Sequence, residues 1–192
     1  MSRFDPTRHR RRSVRLPGHG YAGGIYFVTV CSHGRECLFG EVVEKAVVLS
    51  EAGVLVWEAW EALPDLFPLV HLDTFVVMPS HVHGIIEIWQ DANLNRRGVI
   101  NHAPTPARRA CGHGDGLMAD PRTTLGKVVR ACKARAIRPV NETRGTLGAK
   151  VWQRSHWERV LRNERELRLA REYVLQNPLR WHLDRYGPNG LG

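Results

Sequence analysis

Residues 75 to 88 read FVVMPSHVHGIIEI, and this stretch decides the fold of the chain. Two runs of apolar and β-branched residues flank Pro79 and Ser80, a pair that is typical of a tight turn. The pattern predicts two strands, at residues 70 to 78 and 81 to 89, that pair antiparallel around this turn. Side chains alternate along a strand, so His81 and His83 point to the same face, about 7 Å apart along the backbone. Two such histidines can share one metal ion.

The remaining elements follow from local patterns. Residues 25 to 31, IYFVTVC, predict a first strand, and residues 42 to 43 and 47 to 49 predict a short hairpin. Ser50 is suited to cap a helix that runs through residue 63 and stops at Pro64. A second, amphipathic helix is expected at residues 123 to 140. Its predicted buried arc holds Leu125, Val128, Val129, Cys132 and Ala136.

The C-terminal part predicts one extended segment and one helix. Residues 150 to 161 read as extended, and Asn163 begins a last helix with Glu166 at the reciprocal capping position. That helix ends at Asn177 because Pro178 disfavours helical geometry in the residue before it. The predicted order is therefore strand, hairpin, helix, strand, strand, helix, strand, helix. It fits a ferredoxin-like α+β fold, an antiparallel sheet with helices packed on one face.

The chain is strongly basic. It carries 28 Lys and Arg against 19 Asp and Glu in 192 residues, a formal net charge of +9. A polyanion such as nucleic acid is therefore the first partner to expect. The cations cluster in the N-terminal arm and on the exposed arc of the second helix, and Arg154 lies in the predicted extended segment at residues 150 to 161. The residues we expect to contact DNA are Arg8, Arg10, Arg11, Arg12, Arg15, Lys127, Arg130, Arg138 and Arg154.

The length is typical of one domain. We predict a basic arm at residues 1 to 20, a single domain at 21 to 182 with a flexible insertion at about 91 to 122, and a tail at 183 to 192. No segment is apolar for long enough to span a membrane or to form a signal peptide, so the protein is expected in the cytosol. The cysteines, without any Cys-x-x-Cys spacing, predict reduced thiols and no structural zinc.

Tyr173 and Asn177 lie four residues apart in the last predicted helix, so they share a face. If that helix docks over the strand with His81 and His83, one site holds two imidazoles, an amide oxygen and a phenol. This donor set leaves positions open on Mg²⁺ or Mn²⁺ for a phosphate oxygen, and the tyrosine would attack phosphorus. Each residue type also has an ordinary structural role in hydrogen bonding, packing or helix termination. By residue type alone, His156 is a further candidate ligand.

Two motifs in this order carry a resemblance. They are MPSHVHG at residues 78 to 84 and YVLQNP at 173 to 178, accompanied by RRSVRL at 11 to 16, YFVTVC at 26 to 31, RECLFG at 35 to 40 and VWQR at 151 to 154. With them the chain resembles the REP-associated tyrosine transposases, members of the single-tyrosine HUH superfamily of single-stranded DNA nucleases. HUH stands for His, hydrophobic residue, His.

The resemblance implies a function and a set of site residues. It makes His81 and His83 the metal pair, Asn177 the third ligand and Tyr173 the nucleophile. The implied activity is metal-dependent nicking and rejoining of single-stranded DNA near hairpin repeats through a 5′-phosphotyrosine, by a protein of the cytosol and nucleoid. A monomer is expected, with a homodimer as the alternative. Ser80 and Arg159 depart from the family pattern, and neither is expected to touch the metal or the nucleophile.

Two other functions fit part of the pattern. A hairpin-binding regulator would keep the fold and the basic surface without cleaving. A metal hydrolase would use water as its nucleophile and would tolerate the loss of Tyr173. Cleavage of hairpin-bearing single strands, with and without magnesium, separates these alternatives.

Overall fold

The computed structural model describes residue 21, residues 23 to 89 and residues 123 to 183. The predicted order of elements is confirmed there, with short 3-10 turns added. The strands are β1 (Gly24–Cys31), β2 (Gly40–Val43), β3 (Ala46–Leu49), β4 (Val70–Met78), β5 (His81–Ile88) and β6 (Trp157–Leu161). The helices are α1 (Glu51–Glu61), α2 (Leu63–Leu66), α3 (Leu125–Thr143) and α4 (Glu164–Gln176).

A four-stranded sheet has the order β4-β5-β1-β6, and every neighbouring pair in it is antiparallel. The predicted ferredoxin-like plan and the pairing around Pro79 and Ser80 are therefore confirmed. β5 is hydrogen-bonded on both sides, and His83 lies opposite Thr29 of β1 and Val76 of β4. The histidine motif thus occupies the middle of the sheet, where the backbone is held on both sides.

The segment between β1 and β4 follows its local signals closely. β2 and β3 form the predicted hairpin, and both turn residues, Glu44 and Lys45, have a positive φ, as in a type I′ turn. Ser50 caps α1, because its Oγ accepts a hydrogen bond from the Gly53 amide at 3.1 Å. The helix ends at Glu61, and Pro64 lies in the first turn of α2, where proline is tolerated.

Two boundaries differ from the predictions. α3 continues through Pro139 to Thr143, although its predicted buried arc is confirmed. Of residues 150 to 161, only Trp157–Leu161 forms a strand, and Trp152 makes an isolated bridge to Ser32. None of the helices in the described part of the chain has the length and apolar character needed to cross a membrane.

The helices cover both faces of the sheet, so the prediction that they pack on one face is wrong for α4. The larger core joins one set of alternating strand residues, such as Tyr26 and Ile86, to α1 and α3. The smaller core joins the other set, including Phe27 and Ile85, to Val174 of α4. The reason is that apolar side chains of β1 and β5 point to both faces of the sheet, so both faces must be covered.

Candidate functional site

His81 and His83 project together from β5 toward the face that α4 covers. Both side chains are buried, and their ring centroids are 4.3 Å apart. The next residue, Gly84, faces the other way, where a Cβ atom would overlap the Trp60 ring. The predicted shared orientation is therefore observed, and close packing of Trp60 explains why glycine follows the second histidine.

Each histidine has a hydroxyl group next to its Nδ1 atom. Thr29 Oγ1 lies 2.9 Å from Nδ1 of His83, and Ser80 Oγ lies 3.3 Å from Nδ1 of His81. A partner at Nδ1 fixes the orientation of an imidazole and leaves Nε2 to face the site. Ser80 therefore lies next to a candidate metal ligand. Thr29 is a site residue that no local sequence pattern had indicated.

Tyr173 lies on α4, and its side chain contacts that of His83. Its Oη atom is 3.5 Å from Nε2 of His83, and the two ring centroids are 5.2 Å apart. Tyr173 is 44% exposed, and it lines a cleft that is open to solvent. The helix starts at the predicted cap, where Asn163 Oδ1 accepts from the Glu166 amide at 2.9 Å, and it docks through buried Val174.

Asn177 follows as the last residue of this helical segment and is buried. Its Oδ1 atom has no hydrogen-bond partner among the described residues. The following 3-10 helix, Pro178–Leu183, places the Trp181 ring 5.9 Å from the His81 ring. Asn177 thus lies in the chain between a residue that contacts His83 and one that contacts His81.

The donor set fits a divalent cation. A buried amide oxygen without a partner is costly unless something satisfies it, and a bound cation would do so. The described residues include no group of three or more His, Cys, Asp or Glu side chains placed to hold a metal. The set would therefore be two imidazoles and one amide oxygen. His156 is engaged elsewhere, since its Nε2 atom lies 2.5 Å from Oε2 of Glu158.

A cleft with a volume of about 440 Å³ opens beside Tyr173, between β6 and α4. Aromatic and aliphatic side chains make most of its wall, with a few polar groups among them. The lining residues are Phe27, Thr29, His83, Trp157, Arg159, Leu161, Glu166, Leu169, Ala170 and Tyr173. Arg159 and Tyr173 therefore line the same cleft.

The predicted DNA-binding cations divide into three groups. Arg8, Arg10, Arg11, Arg12 and Arg15 lie outside the described residues, as do the predicted insertion at 91 to 122 and most of the tail. Lys127, Arg130 and Arg138 are exposed on α3, which covers the sheet face opposite the histidines, and Arg138 pairs with Glu142 at 2.7 Å. Arg154 is exposed in the loop before β6.

Comparison with known proteins finds a sequence relative and solved structures of similar fold. No family model matches it. An uncharacterized protein of Haemophilus influenzae is 34% identical over 184 residues, which are 95% of this chain and 96% of that protein. A REP-associated tyrosine transposase bound to a REP hairpin has 18% identity and a TM-score of 0.52, over 86% of this chain and 73% of that chain. The resemblance stated from the motifs is confirmed at the level of the fold.

Proposed function

This chain belongs to the same family as the Haemophilus influenzae protein and has the fold of a REP-associated tyrosine transposase, and on that premise we propose that it nicks and rejoins single-stranded DNA beside hairpin repeats. The observation that carries the proposal is the contact between Tyr173 Oη and His83 Nε2 at 3.5 Å, with the His81 ring alongside. An exposed candidate nucleophile thus meets a buried candidate metal pair.

Tyr173 is the best nucleophile among the tyrosines that the structure describes. Burial raises the pKa of Tyr26 to about 12, and its hydroxyl donates to the Gly23 carbonyl at 2.6 Å. Tyr21 stacks on Tyr26, with ring centroids 5.6 Å apart. Tyr186 lies outside the described residues. Tyr173 alone of these combines an exposed side chain with a contact to the histidine pair.

The proposed reaction is a transesterification. Tyr173 Oη loses its proton and forms a bond to phosphorus while the bond from phosphorus to the 3′ oxygen breaks. The departing oxygen takes up a proton and becomes a free 3′-hydroxyl, and the 5′-phosphate stays on the tyrosine. The phosphodiester energy is conserved in that linkage, so the same or another 3′-hydroxyl can reverse the step without ATP.

A phenol is largely protonated at neutral pH, so the reaction needs an activated phosphate. His81, His83 and Asn177 would hold a divalent ion, Mg²⁺ or Mn²⁺, which would polarise the phosphate and orient it for attack. Thr29 and Ser80 would keep the two imidazoles oriented through their Nδ1 atoms. The burial of both histidines supports this arrangement, because it restricts their motion.

The proposed substrate is single-stranded DNA with a foldback hairpin. The transposase that shares this fold is bound to a REP hairpin, and a formal charge of +9 favours a polyanion here. The hairpin stem would lie against the arginine-rich arm, because the exposed cations of α3 are on the opposite side of the sheet from the cleft. The strand beside it would enter the cleft at Tyr173. Because Tyr173 and the histidine pair of one chain already lie together, we propose a monomer.

Two labels on one hairpin-bearing strand test the proposal. On a denaturing gel with Mg²⁺ or Mn²⁺, a 3′ label should move with the protein, and a 5′ label should appear on a shorter free strand. Excess chelator should remove both products. Tight binding without cleavage would instead identify a hairpin-binding regulator. Two free fragments with no protein-linked label would identify water as the nucleophile and the protein as a hydrolase.

A further inference from the structure

The cleft beside Tyr173 offers more surface than phosphate chemistry needs. Its volume of about 440 Å³ lies within the range of about 300 to 1,000 Å³ that is usual for small-molecule sites. Trp157 and Leu169 line it, and both remain exposed even though they lie over a sheet face that is otherwise covered. Together with exposed Tyr173 they form one contiguous apolar patch rimmed by polar groups, and such a patch is typical of a ligand-binding groove.

We propose that this cleft binds one unstacked base of the DNA strand, from the nucleotide next to the phosphate that Tyr173 attacks, and that the base lies against Trp157. The inference rests on the proposed function for its ligand class. It adds a site that holds a base, where the histidines and Tyr173 hold only a phosphate.

A chain of aromatic contacts links Trp157 to the reactive groups. Phe27 lies between them, with its ring centroid 5.6 Å from that of Trp157, 5.7 Å from that of Tyr173 and 5.4 Å from that of His83. Trp157 is thus one side chain away from the nucleophile. A base that contacts Trp157 while Tyr173 attacks a phosphate therefore belongs to a nucleotide that adjoins this phosphate.

The rim of the cleft has the polarity of a base edge. Arg159 and Glu166 flank the opening, with their charged atoms 3.8 Å apart. The guanidinium offers donors and the carboxylate offers acceptors, and every base carries both kinds of group on its edge. A purely apolar ligand would leave these groups unused. A bare phosphate would suit Arg159 but not Glu166 or the apolar wall.

A cycle of paired changes tests the contact directly. The probe is a hairpin oligonucleotide selected for tight binding by the Tyr173→Phe protein, with one abasic site moved along its single-stranded flank. With the Tyr173→Phe protein, an abasic site at one position of the flank should lower the binding affinity by roughly 5- to 150-fold, the range for one stacked base. With Trp157→Ala added, affinity for the intact probe should fall, and the abasic penalty at that position should disappear.

The chain provides a matched control. Trp57 on α1 is 36% exposed and Trp157 is 38% exposed, and Trp57 contacts Phe75 on the other side of the sheet. Trp57→Ala should keep the full abasic penalty, and Trp157→Phe should restore most of it because a ring can still stack. Thermal unfolding of each variant checks that the fold is intact.

The outcomes separate this inference from the proposed function. An abasic profile that is the same with and without Trp157 overturns the base site, whatever the cleavage assay shows. A position-specific penalty that depends on Trp157, in a wild-type protein that binds but never cleaves, supports the base site and rejects the cleavage proposal. The absence of DNA binding in every arm overturns both.

Discussion

Arg171 forms a bidentate ion pair with Asp73 and thereby ties α4 to β4. The Nη2 atom donates to Oδ2 at 2.6 Å, and Nε donates to Oδ1 at 2.9 Å. Asp73 directly follows Leu72 in β4, where the register with β5 shifts before Phe75. Since Arg171 precedes Tyr173 by two residues, this ion pair helps to hold the helix that carries the nucleophile.

Asp73→Asn should destabilise the protein by about 1 to 2 kcal/mol at neutral pH, because hydrogen bonds to a partly exposed charge are lost. Burial raises the pKa of Asp73, but the hydrogen bonds from Arg171 and Thr74 outweigh it, so the pKa lies below its ordinary value of 3.8. A depressed pKa contributes stability that is present above the ordinary value and is lost as the pH falls through the folded-state value. The difference in the free energy of unfolding between wild type and Asp73→Asn should therefore become smaller as the pH falls.

Urea unfolding at several pH values measures this difference. Glu142→Gln is the control, because the Arg138–Glu142 pair is also charged but is exposed to solvent and lies on the other side of the sheet. Glu142→Gln should change the free energy of unfolding little at any pH. A constant gap between wild type and Asp73→Asn down to strongly acidic pH would contradict the assignment of this carboxylate as the titrating group.

Metal binding should be visible without any reaction. Mn²⁺ should raise the unfolding temperature of the wild-type protein, because a ligand that binds only the folded state stabilises that state. The gain in the free energy of unfolding is about 2.7 kcal/mol at a hundredfold excess over the Kd. His81→Gln and His83→Gln should lose this shift. Asn177→Ala should keep a smaller shift, because water can replace an amide oxygen.

The metal-free stability of Asn177→Ala provides a second readout. The variant removes a buried oxygen that has no hydrogen-bond partner among the described residues, so it should not be less stable than the wild type without metal. A large loss of stability without metal would assign Asn177 a structural role. If Mn²⁺ raised the unfolding temperature equally in the wild type and the three variants, the metal would bind away from these residues.

Thr29→Val should weaken the site without opening a cavity. The change keeps the side-chain shape but removes the hydroxyl group that lies 2.9 Å from His83 Nδ1. Loss of such a partner typically lowers metal affinity or activity about 10- to 100-fold. The Mn²⁺-dependent stabilisation and the rate of adduct formation should both fall. Thr146→Val, a change in the loop after α3, is the control, and equal effects of the two variants would argue against a specific role for Thr29.

Much of this protein is predictable because its signals are local. The alternation that puts His81 and His83 on one face, the Ser50 and Asn163 caps and the apolar arc of α3 each depend on residues a few positions apart, and all of them are observed. Local patterns also placed Tyr173 and Asn177 together on the last helix.

The features that were missed depend on contacts between distant parts of the chain. Thr29 meets His83 only because of the register between β1 and β5. The Asp73–Arg171 pair joins residues 98 positions apart. The side of the sheet that α4 covers is likewise set by tertiary packing, because both faces of the central strands are apolar. No local pattern contains that information.

The most direct test of the account is adduct formation by Tyr173→Phe on a hairpin-bearing single strand. The change removes one oxygen and keeps the ring that packs against His83 and Phe27, so fold and DNA affinity should be unchanged, as they should be for the control Tyr21→Phe. We expect that Tyr173→Phe yields neither cleaved strand nor protein-linked DNA, whereas Tyr21→Phe yields both. Cleavage by Tyr173→Phe at the wild-type rate would show that Tyr173 is not the nucleophile.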